Sequence, residues 1–347
     1  MGVFKNLSER FGSRDIGIDL GTATVLVYVD GKGIVLNEPS VVAIDTAADK
    51  IIKVGREAQA MMGRTPGHIK TIRPLKNGVV AQYEVTLRML QYFISRACGD
   101  MFFRPRVMIC IPGGISDVER RAVMDAALEA GARSVQLIAE PLAAAIGAGL
   151  NVNAPEGHLV VDIGGGTTDV AVVSLGGIVV SETIRVAGDQ FDEAIVRHVK
   201  NKYRVHIGER TAEQIKIRIG AVYEHKNIKT MKVRGRCMSE GLPKEITISS
   251  REMLEAMKDP IAEIIEAICR VVERTTPELI PDIINNGITM TGGGSQLAGL
   301  DRLLADVTGI RATVAKDAPL CVVQGTGRSL SKLSYEEDGS GGEAKLI

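Results

Sequence analysis

The sequence predicts an α/β protein of two related lobes. Three observations carry that prediction: an internal duplication, an alternation of apolar strands with helical segments after each copy, and Asp/Gly/Thr turns at matched places in both halves. Setting GIDLGTATVLVYVDGKGIVL (17–36) beneath VVDIGGGTTDVAVVSLGGIVV (160–180), with Asp19 over Asp162, brings Gly33-Ile34-Val35 onto Gly177-Ile178-Val179 once a single extra glycine is allowed. Each copy reads as an apolar strand, a tight turn, a Val-rich second strand, a Gly-containing turn and the start of a third strand. A repeat of roughly 140 residues is far longer than a solenoid period, so the duplication gives two lobes rather than an array.

The elements follow in order. VTLRMLQYFISRA (85–97) has helical spacing, RVMICIP (106–112) is an apolar strand, ISDVERRAVMDAALEAG (115–131) is a helix stopped by Gly131, and VQLIA (135–139) is another strand. In the second half, residues 250–275 form a long helical pattern interrupted by Pro260, and GITM (287–290) is a strand leading into a second glycine triplet. Residues 40–75 and 190–250 break the alternation and are the natural places for two smaller inserted subdomains. The tail EEDGSGGEAKLI (336–347) is polar and Gly-rich and is expected to be disordered.

Composition narrows the function classes. With 347 residues, 45% hydrophobic, 24% charged and formal net charge +0, the chain can bury a large core and has no electrostatic bias toward nucleic acid or acidic partners. It has no Trp and only 3% aromatic residues, which argues against base-stacking platforms. Cys98, Cys110, Cys237, Cys269 and Cys321 are scattered, odd in number and form no C-x-x-C pair, so neither a disulfide framework nor a zinc knuckle is expected and a reducing cytosol fits. No apolar run approaches the roughly 18 residues needed to span a bilayer, and the N-terminus lacks a signal-peptide pattern. The five histidines show no metal-ligand spacing.

The turns carry the chemistry. Gly164, Gly165 and Gly166 let backbone approach a ligand without Cβ obstruction, and successive N–H groups in such a turn form an anion-binding concavity, with Thr167 and Thr168 adding hydroxyls. Asp162 just before the turn suits a site where magnesium and its waters sit between carboxylate and phosphate. Asp19, Gly21, Thr22, Ala23 and Thr24 make the matching tip, so two such tips can clamp a nucleotide triphosphate; a plain β-hairpin turn is the alternative for either alone. A P-loop is excluded because no G-x-x-x-x-G-K-[ST] occurs, and a dinucleotide fingerprint fails because a strand follows the glycines. Gly292, Gly293, Gly294 and Ser295 follow a strand and lead into a helical pattern, which would aim a helix N-terminus at an anion or nucleoside edge. Glu140, between a strand and a helix beginning at Pro141, is placed to orient or deprotonate an attacking water, or else to stabilise the helix N-terminus. Thr211–Gln214 reads as a capping box that starts a helix, with Glu213 and Lys216 one turn apart as a surface ion pair.

With DIGIDLGTA, AEPLAAAIGAG, VVDIGGGTTDVAVVS, AGDQFDEAI, GERTAEQIK and TGGGSQLAGLDRLL, the chain closely resembles the MreB/Mbl family of bacterial actin homologues over nearly all of residues 14–330. The resemblance implies the actin-like fold: two lobes, each with a ribonuclease-H-like core and a small inserted subdomain, with ATP or ADP and Mg2+ in the interlobe cleft. It divides the chain into subdomain IA (1–40, 75–153, 322–335), IB (41–74), IIA (154–189, 256–321) and IIB (190–255). It assigns Asp19 and Asp162 to the magnesium and its waters, the turns at 21–24 and 164–167 to phosphate, and Glu140, Thr167 and Asp162 to hydrolysis. Gly188, Asp189, Glu213, Lys216 and 292–295 match positions around ribose and adenine. The chain departs from the family pattern at Thr24, Ala139 and Pro112-Gly113-Gly114.

The same resemblance implies a slow, filament-coupled ATPase that polymerises with itself: paired protofilaments would lie on the inner face of the cytoplasmic membrane and organise cell-wall elongation and rod shape with MreC, MreD and RodZ. Val3, Phe4, Leu7 and Phe11 fall on one helical face of the first residues, which can lie in a membrane interface or pack on the protein's own core. Met101, Phe102 and Phe103 sit in a connection, either tucked onto the core or, as the resemblance implies, inserted into lipid. The competing readings are a monomeric sugar kinase of the actin superfamily, for which no substrate-hydroxyl base is evident, and an Hsp70-like ATPase, for which no peptide-binding domain follows residue 330.

Overall fold

The computed structural model describes residues 15–99, 104–224 and 226–332. Two compact units result: the described residues up to Val152 together with those from Leu320 onward, and Asn153–Pro319. The membrane candidates Val3, Phe4, Leu7, Phe11, Met101, Phe102 and Phe103 and the tail 336–347 lie outside the described residues.

In the first unit, β1 (Ile16–Leu20), β2 (Thr24–Val29) and β3 (Gly33–Pro39) form an antiparallel meander. A separate three-stranded sheet follows, β4 (Val42–Asp45), β5 (Lys50–Val54) and β6 (Ile69–Ile72), with the helix Arg56–Met61. A short hairpin, β7 (Leu75–Lys76) and β8 (Val79–Val80), turns at Asn77 and Gly78, both with positive φ as a tight primed turn requires. The helix Tyr83–Cys98 leads to β9 (Arg106–Ile111), the helix Asp117–Glu129 to β10 (Ser134–Ala139), and the helix Glu140–Ala148 closes this part of the unit. The main sheet has the order β10-β9-β1-β2-β3, with β9 and β10 parallel to β1. An almost uninterrupted apolar run suits β9, whose last five residues are buried.

The second unit repeats the plan. Its strands β11 (His158–Ile163), β12 (Thr168–Ser174) and β13 (Gly177–Ile184) form the meander. Then come the helices Gly188–Tyr203 and Glu209–Ile219, and a small sheet of β14 (Val205–His206), β15 (Thr230–Cys237) and β16 (Pro243–Ser249). β17 (Ile288–Thr291) and β18 (Ala312–Val314) run parallel to β11, giving the order β13-β12-β11-β17-β18. The two five-stranded sheets therefore share one topology, which is the duplication seen in the sequence. The helix Lys258–Arg274 covers this sheet with Ile261, Ile264, Ile268 and Val271, spaced three and four residues apart and all buried.

Three local expectations are corrected. The helix carrying Lys216 starts at Glu209 behind Gly208, so Thr211 lies inside its first turn and is not an N-cap. The 250–275 pattern breaks at Met257, not at Pro260, which sits in the first turn of Lys258–Arg274, where its missing N–H costs no intrahelical bond. The third glycine site enters a short 3₁₀ turn, Gly294–Gln296, and the following α-helix begins only at Leu300, so no α-helix N-terminus stands at the triplet.

Candidate functional site

Each unit carries one tip and the groups that gather round it. In the first unit, parallel pairing sets Asp19 of β1 beside Cys110 of β9, and Ile138 of β10 beside the same cysteine. Two residues after Ile138 comes Glu140, the first residue of its helix, with Ala139 as an extended N-cap and Pro141 next. The sheet order thus brings the ligand atoms of Asp19, Cys110 and Glu140 within 4.8 Å of one another. The Cys110 thiol donates to Asp19 Oδ1 at 3.4 Å. Burial raises the Asp19 pKa to about 6, and the thiol hydrogen bond opposes that rise. Burial also pushes the Cys110 thiol well up, reinforced by the charges of Asp19 and Glu140, so it stays protonated and acts as a donor. Glu140 is buried.

The first tip is fixed by its own backbone. A Cβ on Gly21 would meet Thr24 O at 2.7 Å, the Thr22 hydroxyl accepts from Gly78 N at 2.8 Å, and Ala23 O accepts from Ser40 N at 3.0 Å. Thr24 begins β2 opposite Pro39.

The second unit gathers more of the predicted residues. Asp162 is buried and its Oδ1 accepts from Thr291 Oγ1 at 2.6 Å, a bond made possible by the parallel register of β11 with β17. The tip 164–167 closes through Gly164 N to Thr167 O at 2.9 Å, with Gly166 and Thr167 buried. The helix Gly188–Tyr203 is tied to the tip by its first two amides: Gly188 N donates to Gly164 O at 3.2 Å and Asp189 N to Gly165 O at 2.8 Å. A Cβ on Gly188 would crowd Gly164 O, Lys216 Nζ and Gly165 Cα, all within 3.4 Å, so a side chain there would press on the tip and on the ammonium.

Lys216 does not form the surface pair with Glu213 that the sequence suggests. Its ammonium donates to Gly188 O at 2.9 Å and to Asp192 Oδ2 at 2.8 Å. Burial pushes the Asp192 pKa up to about 6; Lys216 opposes the rise, while the charges of Glu213 and Asp189 add to it.

At the third glycine site, Gly292 and Gly294 pack against Ile163, the last residue of β11, where any Cβ would come within 2.3 Å of it. Ser295 is buried and donates to Gly292 O at 2.7 Å. Gly293 is different: it is exposed, and a Cβ there would meet nothing within 4 Å. The fold itself therefore requires Gly292 and Gly294 but leaves Gly293 facing open space.

Two residues of these clusters were missed in the sequence. Asp192 lies one helical turn after Gly188, so its position on the same face was a usable signal. Cys110 sits in an apolar strand 91 residues from Asp19, and nothing local marks it. Chemically, the first cluster offers a carboxylate pair with a thiol donor, and the second offers backbone amides, an ammonium and a carboxylate around a glycine tip. Carboxylates beside glycine tips fit a hydrated divalent cation accompanying phosphate, because hard oxygen donors suit magnesium.

A family model described as "MreB/Mbl protein" matches residues 13–338. Among similar proteins, the cell shape-determining protein Mbl of Bacillus cereus (strain ATCC 10987 / NRS 248) is 51% identical over 322 residues, covering 92% of this chain and 97% of that protein. The crystal structure of MreB5 of Spiroplasma citri bound to ADP matches with a TM-score of 0.89 at 39% identity, over 93% of this chain and 97% of that one. The MamK double helical filament matches with a TM-score of 0.80 at 22% identity, over 93% and 100% of the two chains, a likeness of fold.

Proposed function

Since the chain belongs to the MreB/Mbl family and has the actin-like fold, we propose that it binds ATP with magnesium through its two tips and couples hydrolysis to assembly into filaments. It is a cytoskeletal protein with a role in cell shape. The observation that carries the nucleotide reading is the repeated strand-turn-strand tip, present once in each unit, each preceded by a carboxylate and embedded in one of two sheets of identical topology. The ADP bound to the Spiroplasma citri relative supports it.

In this reading Asp19 and Asp162 would hold a hydrated magnesium ion, which would supply neutralisation of the phosphate charge. The amides of 21–24 and 165–167 bind phosphate oxygens, that of Gly164 being spent on Thr167 O. Glu140 orients a water and accepts its proton, and Thr167 helps to hold that water. Cys110 keeps Asp19 in place by its thiol hydrogen bond. Gly188, Asp189, Glu213 and Lys216 serve the ribose side, and the exposed Gly293, whose backbone is open to a ligand, serves the base.

The small sheets β4–β6 and β14–β16 are read as the inserted subdomains of 41–74 and 190–255. Self-association follows the filament of the fold relative MamK. Membrane attachment through Val3, Phe4, Leu7, Phe11 and 101–103, action at the inner face of the membrane, and cooperation with MreC, MreD and RodZ complete the proposal. Among the described residues no helix is long and apolar enough to cross a membrane. Peripheral attachment would gain from the many copies in a filament.

The test is Glu140→Gln. Nucleotide binding should persist while phosphate release falls on the order of 10²-fold or more; unchanged hydrolysis refutes the role of this carboxylate. Electron microscopy on a lipid monolayer, with and without ATP and magnesium, tests assembly, and phosphate transfer to a sugar without any polymer would overturn the filament reading.

A further inference from the structure

The Lys216–Asp192 pair is built in a way that stability alone does not explain. Both side chains are largely buried, at 16% and 13% exposure. Asp192 Oδ2 takes one ammonium hydrogen, but Asp192 Oδ1 is buried with no hydrogen-bond partner among the described residues. A buried ion pair with an unsatisfied oxygen is a poor source of stability, since apolar side chains of similar volume commonly do as well or better.

The pair's position gives it another use. The ammonium spends two of its three hydrogens on Gly188 O and Asp192 Oδ2. Gly188 is the residue whose amide is bonded to the phosphate tip, and the ammonium lies 3.3 Å from where a Gly188 Cβ would be, with Gly165 Cα at 3.4 Å from the same point. A long, flexible lysine reaching from the neighbouring helix is thus pinned at the root of the tip, with one hydrogen left over. Without an anchor it would lose that position, because the lysine stem is long and free to take many rotamers.

We infer that Asp192 is a positioning residue, which touches no nucleotide itself but holds the Lys216 ammonium so that its third hydrogen meets an oxygen of the nucleotide. This rests on the nucleotide reading given above. Asp192 acts on binding and not on the chemical step, so its loss should raise KM for ATP and weaken ADP binding while kcat is unchanged.

A double-mutant cycle on the full chain, read by ADP titration and by ATP turnover, tests it. Lys216→Met should weaken ADP binding about tenfold, the loss of one charge-assisted hydrogen bond. Asp192→Asn keeps the shape and should weaken it about three- to tenfold, with kcat unchanged. In the Lys216→Met background, Asp192→Asn should have no further effect. The pair Asp192→Leu with Lys216→Met removes both charges, and should fold as stably as the wild type and bind ADP as Lys216→Met does.

Additive losses, a fall in kcat with Asp192→Asn, or unchanged or tighter ADP binding by Asp192→Asn would overturn the inference. So would a double apolar variant that binds ADP far more weakly than Lys216→Met. If Lys216→Met itself binds ADP normally, the assignment of Lys216 to the nucleotide fails instead, and the positioning role with it.

Discussion

Replacing Gly325 by alanine tests how the helix bearing Glu140 is held. The helix Cys321–Ser329 crosses Glu140–Ala148 so closely that a Cβ on Gly325 would lie 1.8 Å from Ala143 O and 2.9 Å from Gly147 N. The reciprocal position is as tight, with a Gly147 Cβ 1.8 Å from Cys321 O. A carbon needs about 3.3 Å from a carbonyl oxygen, so the helices would have to part by about 1.5 Å. The obstructing atoms are backbone, and no rotamer change relieves them. Overpacking of this kind costs up to about 3 kcal/mol, while alanine returns about 1 kcal/mol through helix propensity, leaving a loss of about 2 kcal/mol. For a unit of this size that lowers Tm by roughly 4–8 °C in a calorimetric scan. Gly67→Ala is the control, because a Cβ there meets nothing within 4 Å and the backbone is not left-handed. Phosphate release should fall as well, since Glu140 begins the displaced helix. If Gly325→Ala melts with Gly67→Ala and the wild type, the close crossing is not a determinant of the fold.

Two further outcomes follow from one partly buried and one buried carboxylate. Burial works to raise the Glu252 pKa, but hydrogen bonds from Lys202, Tyr203 and Ser249 outweigh it and hold the value at about 2, against an ordinary 4.5. The stabilisation is therefore complete above pH 4.5 and disappears as pH falls toward 2. Allowing for solvent screening, Glu252→Gln should cost about 1–2 kcal/mol at pH 7 and progressively less as pH falls through the folded-state pKa in urea unfolding; a difference independent of pH would contradict this. Thr291→Val removes the hydroxyl that donates to Asp162 Oδ1, which should cost about 1.5–3 kcal/mol and weaken magnesium-dependent ADP binding. Titration with ADP at several magnesium concentrations checks it, and identical curves would show that the hydroxyl does not support Asp162.

The sequence made the meanders readable because Asp19 and Asp162 stand in the same frame of strand, turn and strand, and each tip is built from neighbours in the chain. What escaped depended on pairings between distant segments. Cys110 reaches Asp19 only through the parallel β1–β9 register, and Lys216 chooses Asp192 over Glu213 only because two helices pack side by side. TAEQ satisfies a capping pattern, yet Gly208 starts the helix three residues before Thr211, so a local motif lost to an earlier start. The glycines at 292 and 294 looked like a loop for a ligand, but their lack of a side chain answers first to Ile163; only Gly293 keeps an open face.

The order of the chain gives the glycine crossing a meaning during synthesis. Helix Cys321–Ser329 covers Gly17 and Tyr28 through Thr326 and Gly327, as well as the helix behind Glu140, yet it leaves the ribosome after the whole of Asn153–Pro319. The segment made first must therefore wait, with part of its core uncovered, while the uninterrupted segment made second already holds all its own strands. Truncation before Cys321 should leave the later-made unit able to fold and the earlier one prone to aggregate.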